Sequence, residues 1–223
     1  MRARFTSAEI AAQALQIVDR DGLAGLNMRS LAAALGTGPM TLYNYVKDRD
    51  QLEELIAEVV ISDMELPEPI HDWTAEVRAV ATAMWVAVRR HPNVVPLVLT
   101  RRTNSPSSYA AAERLVAALA LSGLEDVDLL AAFRGVQALV MGSAQVELAA
   151  PRDDSDRDLT QVAVAARIGR LAGAAHPRLA ALAQISQQSD ATADFDRALD
   201  LFLAGVQSRA GSGQPLGSST DRR

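Results

Sequence analysis

Residues 27 to 52, Asn-Met-Arg-Ser-Leu-Ala-Ala-Ala-Leu-Gly-Thr-Gly-Pro-Met-Thr-Leu-Tyr-Asn-Tyr-Val-Lys-Asp-Arg-Asp-Gln-Leu, carry two short helical patterns separated by a glycine-containing turn. The second pattern is too polar on one face to be buried, which is how a reader of the DNA major groove is built. Leu31, Ala32 and Leu35 give the first helix an inward face. Gly36 can stop that helix in the left-handed conformation, and Pro39 can open the next with its φ already set. Leu42 and Val46, four residues apart, point inward. Met40, Thr41, Tyr43, Asn44 and Tyr45 remain outside, with Lys47 and Arg49 just beyond. Arg29, in the first turn of its helix, can offer a bidentate fork to guanine, Asn44 can pair with adenine, and Met40 can meet a thymine methyl. A plain helical hairpin would not need two tyrosines and a threonine on its outer face. Tyr43 also fits a second role, as a half-buried ring of which only the hydroxyl reaches DNA.

The neighbouring segments encode their own starts. Thr6 and Glu9 form a capping box, with Phe5 and Ile10 as a staple, so a helix is expected from about Ser7. Its stripe is Ile10, Ala14, Ile17 and Val18, and Asp21-Gly22 is expected to end it. Asn27 should cap the next helix between the staple residues Leu26 and Leu31. Asp48 with Gln51 predicts a third capping box, opening a helix striped by Leu52, Leu55, Ile56, Val59 and Val60 to about Ser62. Pro67 and Pro69 then break the pattern between Met64 and His71.

Beyond that break the sequence is helical again, with no strand-like alternation and no fixed-period repeat. Helices are expected over 73–90, 92–100, 107–121, 126–147, 159–174, 178–185 and about 194–207, with an acidic loop from Pro151 to Asp158. Residues 126–147 are apolar nearly all round, so they must be covered on more than one side. The final helix adds a stripe of Phe195, Leu199, Phe202, Leu203 and Val206. A four-helix interface between two copies would satisfy both helices. Residues 208–223 are expected to be a disordered, Gly/Ser-rich tail.

A chain of 223 residues without cysteine, 49% apolar, can build one large or two modest cores without disulfides. No apolar region follows the basic N-terminus, and no window approaches eighteen uninterrupted apolar residues. The expectation is therefore a cytoplasmic protein with no membrane partner. The net charge of −5 does not argue against DNA. Residues 1–50 hold six Arg or Lys against five Asp or Glu, so the acidic excess lies in the rest of the chain. Attraction to phosphates acts over about 8 Å at physiological salt, so the local face decides.

No metal site or cofactor is expected. His71, His91 and His176 are scattered, and Asp153, Asp154, Asp156 and Asp158 lack the glycine and distal glutamate of a calcium loop. Met84, Trp85, Val88, Leu97, Phe133, Gln137 and Met141 are candidates to line a pocket for a small apolar or aromatic molecule, although such stripes also serve as plain core. Gln137 is the informative member, since an amide on an apolar helix needs a partner.

The run Leu42-Tyr43-Asn44-Tyr45-Val46-Lys47-Asp48 after Leu35-Gly36 resembles the recognition segment of the TetR family of bacterial transcriptional regulators. The resemblance continues more loosely to about residue 207, where the helix order, with Trp73 opening the second part, is similar to the tetracycline-repressor-like subgroup. It implies an all-α fold, with residues 1–47 as a helix-turn-helix DNA-binding domain and 48–207 as a helical ligand-binding and dimerisation domain. Thr41, Tyr43 and Lys47 would then contact chiefly phosphate, and Arg29, Pro39, Met40, Asn44 and Tyr45 base edges or their surroundings. Where tetracycline-binding members carry a histidine before a Gly-Thr-Arg-Pro turn, this chain reads Val98-Leu99-Thr100-Arg101-Arg102-Thr103, which does not imply a metal-tetracycline ligand. The expected function is that of a homodimeric repressor of a pseudopalindromic DNA operator, released by a small-molecule effector. The alternatives are an activator, a ligand-independent regulator, or an all-α enzyme or carrier. The last lacks a cysteine nucleophile, a Gly-Xaa-Ser-Xaa-Gly elbow and a phosphate loop.

Overall fold

The computed structural model describes residues 5–100, 106–148 and 161–212, which form α-helices and no strand. The N-terminal helices are α1 (Ser7–Gly25), α2 (Met28–Ala34), α3 (Pro39–Leu42) and α4 (Arg49–Ser62). They are followed by α5 (Trp73–Arg90), a 3₁₀ turn (Pro92–Val94), α6 (Val95–Thr100), α7 (Pro106–Ala120) and α8 (Asp126–Leu148). The remaining helices are α9 (Gln161–Ala172), α10 (Pro177–Ser186) and α11 (Ala191–Ser212). The expected loop at 151–158 lies outside the described residues. The expected tail does not begin at 208, because α11 runs on to Ser212.

Local chemistry sets the N-terminal boundaries. Thr6 and Glu9 close a reciprocal capping box on α1, and Asn27 does the same for α2 with Ser30. The helical geometry of α1 breaks at Gly22, where φ is +70°, and resumes for one more short turn to Gly25. At the end of α2, Gly36 takes φ +62°, with Gly36 N–H donating to Ala33 O at 3.1 Å and Thr37 N–H to Ala32 O at 2.9 Å. That Schellman arrangement satisfies carbonyls the helix would leave open, and only glycine enters it without strain. The third capping box differs from expectation. Asp48 accepts from Gln51 N–H at 2.8 Å, but the Gln51 amide oxygen reaches one residue further back, to Lys47 N–H at 2.8 Å.

The helices bury two apolar clusters. One joins Ile10, Ala14, Ile17, Val18, Leu31, Leu42 and Val46 to Leu52, Ile56 and Val60 of α4. By packing, α4 therefore shares the core of the first three helices, although its N-terminus opens the second predicted domain. The same cluster takes in Val94 and Leu97 from the far side of α5. The other cluster joins α5, α7, α8 and α11 through Val80, Leu115, Leu119, Val136, Val140 and Leu199. Helices α8 and α11 approach closely at Gly135, where an added Cβ would lie 2.6 Å from the Phe202 ring.

The proline-containing linker is tied down by a nearly buried ion pair. Glu76 of α5 meets Arg114 of α7 at 2.6 Å and accepts from Ile70 N–H at 2.9 Å, while Arg114 donates to Pro67 O at 2.7 Å. These additional bonds offset the cost of removing the two charges from water.

Candidate nucleic-acid interface and effector pocket

Leu42 and Val46 are fully buried, and that anchorage turns the rest of the segment outward. Met40 is 78% exposed and Tyr43 48% exposed, with Arg29, Pro39, Asn44 and Lys47 also exposed and Thr41 half-buried. The regular part of the recognition segment, Pro39–Leu42, is shorter than a pattern with both Leu42 and Val46 facing inward predicts. It closes at Leu42 and continues as tight turns, with Asn44 N–H donating to Thr41 O at 3.3 Å and Tyr45 N–H to Leu42 O at 2.9 Å. The face nevertheless stays continuous from Met40 to Lys47.

Tyr45 stands apart from the others. Its ring packs on the N-terminal cluster, edge-on to Phe5 at 6.1 Å, and its hydroxyl accepts from Phe5 N–H at 3.4 Å. The packed tyrosine is thus Tyr45, whereas Tyr43 is about half-exposed and belongs to neither apolar cluster. Arg49 is engaged within the fold, with Glu53 at 2.7 Å and Leu23 O at 3.2 Å, which fixes the start of α4 against α1. Nearby, the Arg20 guanidinium holds the Asp21 carboxyl below its ordinary range.

Five of the seven pocket candidates gather at the second cluster. Trp85 and Val88 are buried in it, Met84, Phe133 and Met141 pack against it, and Gln137 lies half-exposed on the same helix as the last two. Leu97 does not join them. It fills the N-terminal cluster, because the 3₁₀ turn redirects the chain before α6.

Trp85 is held by two neighbours. Phe195 stacks against it with ring centroids 4.6 Å apart and planes 3° from parallel, and the Arg89 guanidinium lies 4.3 Å from its centroid. Its Nε1–H is buried without a hydrogen-bond partner. An orphaned buried donor costs about 1–3 kcal/mol, and an acceptor on a bound molecule would recover that cost. Neither Phe195 nor Arg89 was among the predicted pocket residues. Phe195 heads an apolar stripe that sequence alone reads as core, and Arg89 sits in a polar helix end.

Just beyond α5 the chain returns to α1. His91 Nδ1 lies 2.9 Å from Asp19 Oδ2, and the Asn93 amide donates to Val18 O at 2.9 Å and Asp19 O at 3.1 Å. Four residues after Arg89, the polypeptide is therefore bonded to the helix that carries the N-terminal unit. Among the described residues, no group of three or more His, Cys, Asp or Glu could hold a metal ion.

Residues 66–210 match the family model described as Tetracyclin repressor-like, C-terminal domain. The chain is 31% identical over 208 residues to an HTH-type transcriptional regulator of Saccharopolyspora erythraea, covering 93% of this chain and 86% of that one. It is 34% identical over 146 residues to the HTH-type transcriptional repressor DrrR1 of Streptomyces coeruleorubidus, and that match spans 65% of this chain but only 54% of DrrR1. Its fold is similar to ActR, a TetR family protein of Streptomyces coelicolor solved in complex with actinorhodin. The TM-score is 0.81 and the identity 25%, over 95% of this chain and 100% of that one. ActR has also been solved in complex with (S)-DNPA.

Proposed function

Because this chain belongs to the TetR family of transcriptional regulators, we propose that it is a repressor that binds a pseudopalindromic operator as a homodimer and leaves it when a small molecule occupies the second cluster. The observation that carries the DNA half is the exposed run from Met40 to Lys47 held over fully buried Leu42 and Val46. On this reading Thr41, Tyr43 and Lys47 meet phosphates. Arg29, Met40 and Asn44 meet base edges, with Pro39 setting the approach and Tyr45 bracing the segment from beneath. One such segment reads too few base pairs to find a site, so two must act together, spaced by roughly 34–36 Å.

The dimer reading rests on α8 and α11. Residues 126–145 have a mean hydropathy of 1.3, yet only 22% of that window is buried within one chain. By length and composition the helix could cross a membrane. Arg134 at its middle and its packing on α5, α7 and α11 favour a protein cover instead. Val127 and Leu130 of α8 and Leu201 of α11 are exposed, as expected of a seam awaiting a second copy. A DNA-binding role puts the protein in the cytoplasm.

The effector site is proposed around Met84, Trp85, Val88, Phe133, Gln137 and Met141, with Leu97 transmitting the change into the N-terminal cluster. The unpartnered Trp85 Nε1–H favours an apolar molecule carrying a hydrogen-bond acceptor. Movement of α5 would pull on the His91–Asp19 and Asn93–Val18 bonds while α4, packed between the two cores, tilts the N-terminal unit. A change of a few ångströms between the two recognition segments then prevents both half-sites from being engaged together. Inverting a 99:1 population requires the effector to favour the released state by about 5.5 kcal/mol.

The test is selection of bound duplexes from random DNA at about 150 mM salt, followed by anisotropy titration, with actinorhodin and (S)-DNPA as first effector probes. A pseudopalindrome bound at nanomolar affinity by a dimer is the expected result. Enrichment of no sequence by the freshly refolded, ligand-free protein would sink the reading.

A further inference from the structure

Tyr45 is the aromatic of the recognition segment that packs on the N-terminal cluster, and what it holds is the entry of the chain. Phe5 N–H donates to the Tyr45 hydroxyl at 3.4 Å, and the two rings meet edge-on at 6.1 Å, across 40 residues of sequence. A hydrophobic staple needs only an apolar contact across the cap of its own helix. The tie to Tyr45 does something further. It fixes the point at which the residues before Phe5 leave the fold, and that point lies against the recognition segment.

The residues joined to it are Arg4 and, two positions earlier, Arg2. An extended chain covers at most about 3.6 Å per residue, so Arg2 is tethered within about 11 Å of Phe5. Residues 1–8 contain no Asp or Glu. The next carboxylate in sequence, Glu9, accepts from Thr6 N–H at 2.7 Å and from the Thr6 hydroxyl at 3.0 Å, which commits it to the cap of α1.

The charge pattern of the N-terminal unit gives these two arginines weight. Between Phe5 and Ser62 the cations are Arg20, Arg29, Lys47 and Arg49. Arg20 is paired with Asp21 at 2.6 Å and Arg49 with Glu53 at 2.7 Å, which leaves Arg29 and Lys47, both exposed, to meet phosphates. Attraction to a polyanion at physiological salt depends on how many cations displace its counterions. Arg2 and Arg4 double that number.

We propose that Arg2 and Arg4 grip the DNA phosphates just outside each half-site, with the Phe5–Tyr45 contact as the anchor that aims them. The proposal rests on the reading of this chain as an operator-binding dimer. It divides the labour on DNA: the face from Met40 to Lys47 reads the site, while the residues before the anchor lengthen the footprint and add attraction that carries no sequence information.

The test uses the selected operator in two lengths, one with about ten base pairs beyond each half-site, roughly a helical turn, and one trimmed to the half-site ends. Anisotropy titrations from about 50 to about 200 mM salt compare the wild type with Arg2→Ala combined with Arg4→Ala, any tag being at the C-terminus. The N-terminal core begins at Phe5, so these substitutions remove none of its described contacts. On the long duplex the slope of log K against log salt should be shallower in the variant by about 3.6, since each of the two arginines in each of two subunits accounts for about 0.9. On the trimmed duplex the two proteins should share one slope. Arg2→Lys with Arg4→Lys should match the wild type on both. Equal slopes on the long duplex, from a protein that still selects a specific site, would overturn the grip and leave operator binding intact. An equal loss of slope on both duplexes would put the contacts inside the half-site and overturn the flanking placement. Selection of no site by the wild type would overturn the operator reading itself.

Discussion

The two apolar clusters solve the same problem in different ways. In the N-terminal unit Ile10, Ile17, Leu31, Leu42, Leu52 and Ile56 are all fully buried, and the large apolar residues left outside belong to the recognition segment. The second unit buries Trp85, Phe195, Leu115 and Leu199 as thoroughly, yet leaves Val127, Leu130, Leu201 and the faces of α9 and α10 in water. The first core is complete within one chain, whereas the second leaves apolar faces that the proposed dimer would cover. What sets them apart is where the unburied apolar surface lies, because a helix end proposed to enter a groove and a helix face proposed to meet its twin expose different residues.

The largest expected effect comes from removing a side chain that the N-terminal core needs outright. Leu42→Ala should cost about 2–5 kcal/mol of stability, as large-to-small changes in closed cores do. In chemical denaturation that loss should be the same at micromolar and at high-micromolar protein. Leu130→Ala should behave differently, lowering the midpoint mainly at low concentration, because its burial waits on association. Equal concentration dependence for both variants would erase the contrast between the two cores.

Next in size is the exposed face itself. Tyr43→Ala combined with Lys47→Ala should weaken operator binding by about 1–3 kcal/mol per subunit and flatten the dependence on salt, since a phosphate contact is lost from each half-site. Thermal stability should be unchanged, because both side chains reach into solvent. Anisotropy titrations at two salt concentrations and a melting curve read the two halves of this expectation. Lost stability with unchanged DNA affinity would make Tyr43 a packing residue after all.

A smaller effect is expected at the effector site. Trp85→Phe keeps a ring against Phe195 but deletes the unpartnered Nε1–H. The smaller ring gives up packing and part of the Arg89 contact, so stability should fall modestly, offset in part by removal of the orphaned donor, while affinity for an acceptor-bearing effector should fall about tenfold, the value of one net hydrogen bond. Calorimetric titration of wild type and variant measures it directly. Unchanged affinity would mean that the indole donor faces no ligand.

The N-terminal unit was legible in sequence because its signals are local. Thr6 with Glu9, Asn27 between Leu26 and Leu31, and Gly36 before Pro39 each fix a backbone event within a few residues, and the two caps and the left-handed glycine all appear in the structure. The recognition segment was overestimated in length because Leu42 and Val46 keep helical spacing through a run of tight turns, which periodicity alone does not separate from helix. Beyond the linker the helix positions were legible, but their partnerships were not. Nothing near Trp85 announces Phe195, 110 residues away, and Leu97 continues an apolar run whose change of core is decided by the turn at Pro92. The outward Leu and Ile of α9 and α10 were hidden for the same reason, because such a stripe reads alike whether it faces a core or solvent.

The smallest effect concerns how the second unit begins. Asp72 caps α5, accepting from the Thr74 hydroxyl and from Ala75 N–H at 2.8 Å, and these bonds hold its carboxyl below the ordinary 3.8. A depressed carboxylate contributes stability that is fully present above its unfolded value and is lost as pH falls through the lower folded one. Asp72→Asn retains a capping side chain that does not titrate. The wild type should therefore melt slightly higher than Asp72→Asn at neutral pH, and the gap should close only as the pH drops below 3.8. Because the cap is wholly exposed, the gap should also shrink with added salt. A gap that persists at lower pH would locate its origin in the hydrogen-bond geometry of the amide rather than in the charge, and the cap would then serve α5 as it serves the uncharged Asn27 start of α2.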